Sequence, residues 1–261
     1  MLSIGHDLSL PRLGAGRASG AAIASFLAGT TNILFDFAAP ATLWQTDDTS
    51  APVTAAGQSI GRAAGGVFTQ ASAAARPTWQ TTFLAAAVDD HLTGSGTALS
   101  LTNGASAVTF GCSFMVNSLV TQSSLIAFST TSSAVRFLAY VITAGEIGME
   151  LRRLAADSLP TRITTGAGIT TGVRYTLIVT ADYANNATYF WVNGVLITTL
   201  TATGVAGTVE AYDSLRARFC ANVQITAGEF MNGNMYRQAF VVRNKVPTIA
   251  EVAAMHMDLM R

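Results

Sequence analysis

Residues 188–200 read TYFWVNGVLITTL, two short runs of β-branched and aromatic residues joined by Asn193-Gly194. Asn-Gly accepts the two positive φ angles of a type I′ turn, whose twist suits a pair of antiparallel strands. The chain must reverse here, and the flanking runs must pair. From residue 31 onward the sequence keeps the same character, with β-rich runs broken by Gly, Asn, Asp and Ser. Strands are expected over 32–37, 82–87, 107–117, 123–129, 134–143, 146–154, 173–182, 187–193, 195–201, 215–224 and 234–243. Many alternate apolar and polar residues, the period-two pattern of a half-buried antiparallel sheet.

One segment has helical spacing. In PTIAEVAAMHMDLMR, Thr248 and Glu251 form a capping box after Pro247, and Val252, Met255 and Leu259 make one apolar stripe. This helix is expected to dock back on two packed sheets. Residues 1–30 are rich in Gly and Ala. They read as an N-terminal arm, extended or a short helix, outside the sandwich and ordered mainly by a partner. Its candidate anchoring residues include Leu8, Leu10, Leu13, Phe26 and Leu27. The division is therefore an arm over 1–30 and one β-sandwich domain over 31–261.

Charge narrows the function classes. Charged residues make up 11% of the 261, against about 25% in an average soluble protein. Lys+Arg 15 balances Asp+Glu 15, so no nucleic-acid footprint is expected. No apolar run approaches the ~18 residues of a membrane-spanning helix, and no membrane insertion is expected. The run at 21–28 follows His6, Asp7, Arg12 and Arg17, a poor pattern for a signal peptide. A chain of this kind acting outside a cell is expected to leave by another route, such as lysis. Cys112 shares the apolar face of its strand, while Cys220 alternates with Arg216, Arg218, Asn222 and Gln224; two free thiols are expected.

Several groupings invite a chemical reading. Glu146 and Glu150 in GEIGMELRR fall on one face of a strand, and paired carboxylates cleave glycosides. Their Cα atoms would stand roughly 13 Å apart on an ideal strand, Gly148 lies between them, and Arg152 follows on the same face. A solvated strand face is the expectation, with no catalytic residue. GAGRASG at 14–20 lacks the preceding strand of a dinucleotide fingerprint. Asp47-Asp48, Asp89-Asp90 and Asp182 with Asn185 and Asn186 carry hard oxygens that suit calcium, but the same residues build turns without metal. No cofactor is expected, with calcium the one candidate. His6, His91 and His256 are far apart, and no Cys/His pair has zinc spacing. Among the aromatic residues, Trp44, Trp79, Trp191, Tyr183 and Tyr212 are possible sugar-stacking platforms. Trp191 sits in an alternating strand and reads as core; Tyr183 and Tyr212 lie near loops and are the carbohydrate-binding candidates.

Three stretches resemble a known family. TGVRYTLIVTADYANNATYFWVNGVLI (171–197) is similar to a strand, polar turn and V-N-G hairpin of concanavalin A-like, laminin-G-like jelly rolls. FMNGNMYRQAFVVRNKVPTIAEVAAMH (230–256) resembles their closing strand and A-E-V helix. LFDFAAPATLWQTDDTSAPVTAAGQSIGRAAG (34–65), with TQASAAARPTWQ (69–80) and AVDDHL (87–92), resembles the opening of laminin-G-like proteins encoded largely by tailed phages and prophages. The segment AAGGV (63–67) and His91 depart from that pattern. The resemblance implies an all-β, concanavalin A-like (laminin-G-like) antiparallel β-sandwich jelly roll with an N-terminal arm and a short C-terminal helix. It further implies a non-enzymatic structural protein of a tailed-phage virion: a capsid decoration, a fibre or spike, or a tail-associated subunit. Other virion proteins and a second copy of the chain are the expected partners, and the virion the expected location. The alternatives are a glycan-binding adhesin module contacting the host surface and, more distantly, a laminarinase-type glycoside hydrolase.

Overall fold

The structure is a computed structural model that describes residues 20–64, 67–130, 135–154, 157, 161–201, 207–210, 215–222 and 229–261. Helix α1 (Ala21–Leu27) precedes strand β1 (Asn32–Asp36). Short pieces follow: β2 (Arg62–Ala63), β3 (Phe68–Thr69), β4 (Thr78–Trp79), β5 (Phe83–Ala86), β6 (Leu92–Gly94) and helix α2 (Thr97–Ser100). The central strands are β7 (Ala107–Val116), β8 (Ser123–Thr130), β9 (Val135–Val141), β10 (Ile147–Leu151) and β11 (Thr161–Ile163). Then come β12 (Tyr175–Asp182), β13 (Ala187–Val192), β14 (Val195–Thr201), β15 (Leu215–Phe219), β16 (Gly233–Arg243) and helix α3 (Ile249–Met260).

Two antiparallel sheets result. Sheet I has the order β14-β13-β12-β7-β16-β5-β4, with β1 also paired to β16; sheet II runs β11-β10-β9-β8-β15-β6-β3-β2. Their inner faces share one core, because alternate residues of each strand point inward. Phe35 of β1 stacks on Phe219 of β15 with ring centroids 4.1 Å apart and meets Phe68 of β3 at 5.0 Å. These rings tie sheet I to sheet II, each fully buried ring contributing roughly 1.5–3 kcal/mol.

The hairpin at residues 192–195 forms as expected. Asn193 has φ 51° and Gly194 φ 77°, and Val192 pairs with Val195. The capping box also forms: Glu251 N–H donates to Thr248 Oγ1 at 3.2 Å, and Thr248 N–H donates to Glu251 Oε2 at 2.8 Å. Val252, Met255 and Leu259 are all fully buried.

Two expectations about the fold need correction. Residues 21–27 do not await a partner; they form α1, and Ile23, Phe26 and Leu27 pack against α3 and sheet I of the same chain. Phe26 and Leu27 are buried there and cannot serve as exposed assembly anchors, while Leu8, Leu10 and Leu13 lie outside the described residues. The docking is polar at both ends of α1. Asp258 accepts from Ala22 N–H at 2.7 Å and from Ile23 N–H at 3.3 Å, and Lys245 Nζ donates to Phe26 O at 2.6 Å. A carboxylate at a helix start and an ammonium at its end both suit the backbone dipole.

Cys220 is the second correction. Its φ of 65°, just past the end of β15, breaks the alternation and turns the side chain inward, so it joins Cys112 in the core. Both thiols are free and buried, and burial holds their pKa values well above the usual range.

Candidate functional site

Cross-strand pairing lays one row of side chains over the outer face of each sheet. On sheet I the row is Leu196, Trp191, Ile178, Gly111, Phe240 and Leu34. It is apolar throughout, and α1 and α3 cover most of it, with Phe26 edge-on to Phe240 at 5.9 Å. Gly111 is glycine for a steric reason, since the Phe240 ring lies 2.3 Å from where its Cβ would stand.

On sheet II the row is Trp44, Arg62, Thr69, Thr93, Arg218, Ala127, Leu138 and Glu150. Its first five members span four strand spacings, roughly 19 Å. Thr93 is exposed, and Trp44, Arg62, Thr69 and Arg218 are half-buried. The Arg62 guanidinium sits 5.8 Å from the Trp44 ring centre, and its Nη1 donates to Asp47 O at 3.3 Å. Arg218 Nη1 donates to Asn222 O at 3.2 Å, and Asn222 Nδ2 donates to Glu229 Oε2 at 2.6 Å. The result is an aromatic ring, two guanidiniums and two hydroxyls held in line by short strands.

The far end of the row is different. Ala127, Leu138 and Tyr140 form a small buried cluster, and the Tyr140 ring occupies the place of a Cβ on Gly148. That contact explains the glycine between Glu146 and Glu150. Burial, then the neighbouring Glu229, raises the Glu150 carboxyl above its usual value, with Arg152 opposing.

Glu146 lies just before β10 and is a loop anchor. It accepts from Thr164 Oγ1 at 2.8 Å, Gly166 N–H at 3.2 Å and Ala167 N–H at 3.3 Å. Both glutamates are half-buried rather than solvated, which corrects the expectation for this strand. They occupy separate settings: one clamps a turn, and the other joins Tyr140 and Glu229.

The carbohydrate-binding candidates fare unequally. Tyr183 is fully buried, with its hydroxyl donating to Arg136 O at 2.8 Å, so it offers no stacking surface. Its place next to a turn suggested exposure, but the strand end folds it into the core. Tyr212 lies outside the described residues. Trp79 donates Nε1–H to Phe37 O at 2.7 Å within the core, and Trp191 belongs to the sealed face. Trp44 is the tryptophan that retains exposed surface.

The acidic pairs act as turn anchors. Asp48 accepts from Ser50 Oγ at 2.6 Å, Ser50 N–H at 2.9 Å and Thr46 Oγ1 at 2.7 Å, and these bonds, led by the Ser50 hydroxyl, lower its pKa to about 2. Asp182 accepts from Asn185 N–H at 3.1 Å and Nδ2 at 2.8 Å. Asp90 accepts from Ala87 N–H at 2.9 Å. Among the described residues no three His, Cys, Asp or Glu gather as a metal site, and no helix is long and apolar enough to cross a membrane.

No family model and no curated protein matches the chain. Solved structures do. The CBM40 carbohydrate-binding module of the Ruminococcus gnavus IT-sialidase, bound to α2,3 sialyllactose, is 21% identical with a TM-score of 0.51. The match covers 61% of this chain and 87% of that one. The leech intramolecular trans-sialidase complexed with 2,7-anhydro-Neu5Ac is 20% identical with a TM-score of 0.54. That match covers 67% of this chain and only 27% of the leech enzyme. The chain therefore has a lectin-like jelly-roll β-sandwich fold, as its sequence motifs imply.

Proposed function

We propose that this chain is a non-catalytic glycan-binding module whose ligand lies along the Trp44–Arg62–Thr69–Thr93–Arg218 row of sheet II. The supporting observation is the contrast between faces. Sheet I is sealed by its own helices, whereas this part of sheet II carries an aromatic ring beside hydrogen-bonding side chains with surface to spare. A tryptophan face stacks on the C–H surface of a sugar ring, and guanidinium forks and hydroxyls bond to its oxygen atoms. The shared fold with a module bound to sialyllactose adds support for the class of ligand.

Against hydrolysis stands the engagement of Glu146. A retaining pair needs free carboxyl groups about 5–5.5 Å apart, and Glu146 already accepts three hydrogen bonds within its own loop. The sequence motifs over 34–92 further support a place for this module on a tailed-phage particle, as a decoration, fibre or tail-associated subunit that meets host surface glycans.

A glycan array probed with the full chain tests the binding reading. At least one glycan class should be retained, with no reducing sugar released from it. An array without signal, or release of sugar that depends on Glu150, contradicts the proposal. Peptides of this chain in purified phage particles would support the location, and their consistent absence would remove it.

A further inference from the structure

β14 ends sheet I and hydrogen-bonds on one side only, to β13. Among the described residues, no backbone partner lies along its other side. An open strand edge is a template for pairing with another chain, and proteins usually protect it with charge, proline or short length. The other terminal strands in the two sheet orders follow this rule: β4 and β2 have two residues each and β11 has three. β14 has seven, VLITTLT, without charge or proline. A bulge disturbs its pairing with β13 near the turn, yet residues 198–201 continue in unbroken register.

We propose that β14 is a self-association edge, where two copies of this chain pair their β14 strands antiparallel about a two-fold axis and join their sheets I. A second copy is the occupant that fits. An uncharged strand meets no repulsion from itself, and a two-fold contact is self-complementary and closed, so it stops at a dimer. The surface beside the edge is also apolar. Val195 and Leu196 are 61% and 43% exposed, and the Asn193-Gly194 turn abuts His256 of α3, whose neighbour Met257 is 60% exposed. Exposed apolar side chains beside an open strand edge are compatible with burial against a second strand.

The test measures mass in solution for the full chain by light scattering and sedimentation across a concentration series. The wild type should reach twice the 27.1 kDa of one chain. Leu196→Lys and Thr199→Lys place charge on exposed positions of the edge. Each should be monomeric and still unfold in one cooperative transition, at a lower temperature than the wild-type dimer. Thr199→Glu mixed with Thr199→Lys should restore the dimer. The two substituted positions lie one residue from the centre of β14 and so come close to each other across the two-fold, where opposite charges attract. Amide exchange should show β14 protected in the wild type and open in the lysine variants. The proposal is overturned by a monomeric wild type, by a mass other than two chains, or by lysine variants that still dimerise. A wild-type monomer whose β14 amides are protected would show that another part of the chain covers the edge.

Discussion

Sheets I and II are built from strands of the same kind, yet a row of side chains across each outer face has opposite character. Leu196, Trp191, Ile178, Phe240 and Leu34 on sheet I need a cover, and α1 and α3 provide it. Trp44, Arg62, Thr69, Thr93 and Arg218 on sheet II need none, since water or a ligand satisfies them equally well. The difference teaches where to look for function in a sandwich of two such sheets. A face that the chain covers itself belongs to folding, and a face with oriented polar groups and one aromatic ring is free for recognition.

The largest expected effect breaks the sealed face. Phe240→Ala removes a fully buried ring wedged between Gly111 and Phe26, and should cost about 3–5 kcal/mol in chemical denaturation. Thr93→Ala on the open face should change stability by no more than ~0.5 kcal/mol. Equal costs at the two positions would erase the contrast between the faces.

Next in size is Gly194→Val. The substitution forces a β-branched residue to φ 77° and places its Cβ 3.0 Å from the His256 ring, so both the turn and the α3 contact suffer. A loss of roughly 2 kcal/mol is expected. An unchanged melting curve would mean that the turn and helix are not coupled.

The smallest effect is a pH dependence. Burial lowers the pKa of His256, whose Nδ1 lies 2.7 Å from Thr176 Oγ1 under α3, and also lowers that of His91. The unfolded chain takes up protons below about pH 6.5, while the native state resists. Stability should therefore be full at pH 7.5 and fall as pH drops through 6. His256→Gln should flatten part of that slope, and an identical slope would place the titrating group elsewhere. Glu150 acts in the opposite sense near pH 4–5, since its raised native pKa makes protonation favour the folded state.

Period-two alternation together with β-branched and aromatic content was enough to read the long strands, although β7, β9 and β12 are buried on both faces rather than one. It could not reveal β2, β3, β4, β6 or β11, which have two or three residues and are set by their neighbours. The candidate row was hidden for the same reason: Arg62, Thr69 and Thr93 sit on those fragments, and only pairing brings them beside Trp44. Local reading also misjudged Tyr183, next to a turn but buried, and Cys220, where one positive φ reverses the face. Residues 1–30 carry few large apolar side chains, and nothing local in them shows that α1 docks on its own chain. Its docking depends on Asp258 and Lys245, more than 200 residues away in sequence.

The most direct measurement of the central claim is a calorimetric titration of a glycan retained on the array, using the wild type, Trp44→Ala, Arg218→Ala and a control, Met257→Ala, on exposed α3. Trp44→Ala and Arg218→Ala should each weaken binding at least tenfold, about 1.4 kcal/mol, with cooperative melting retained. Met257→Ala should bind as the wild type does. Undiminished binding by both sheet II variants, or loss confined to the α3 control, would contradict the assignment of sheet II as the ligand face.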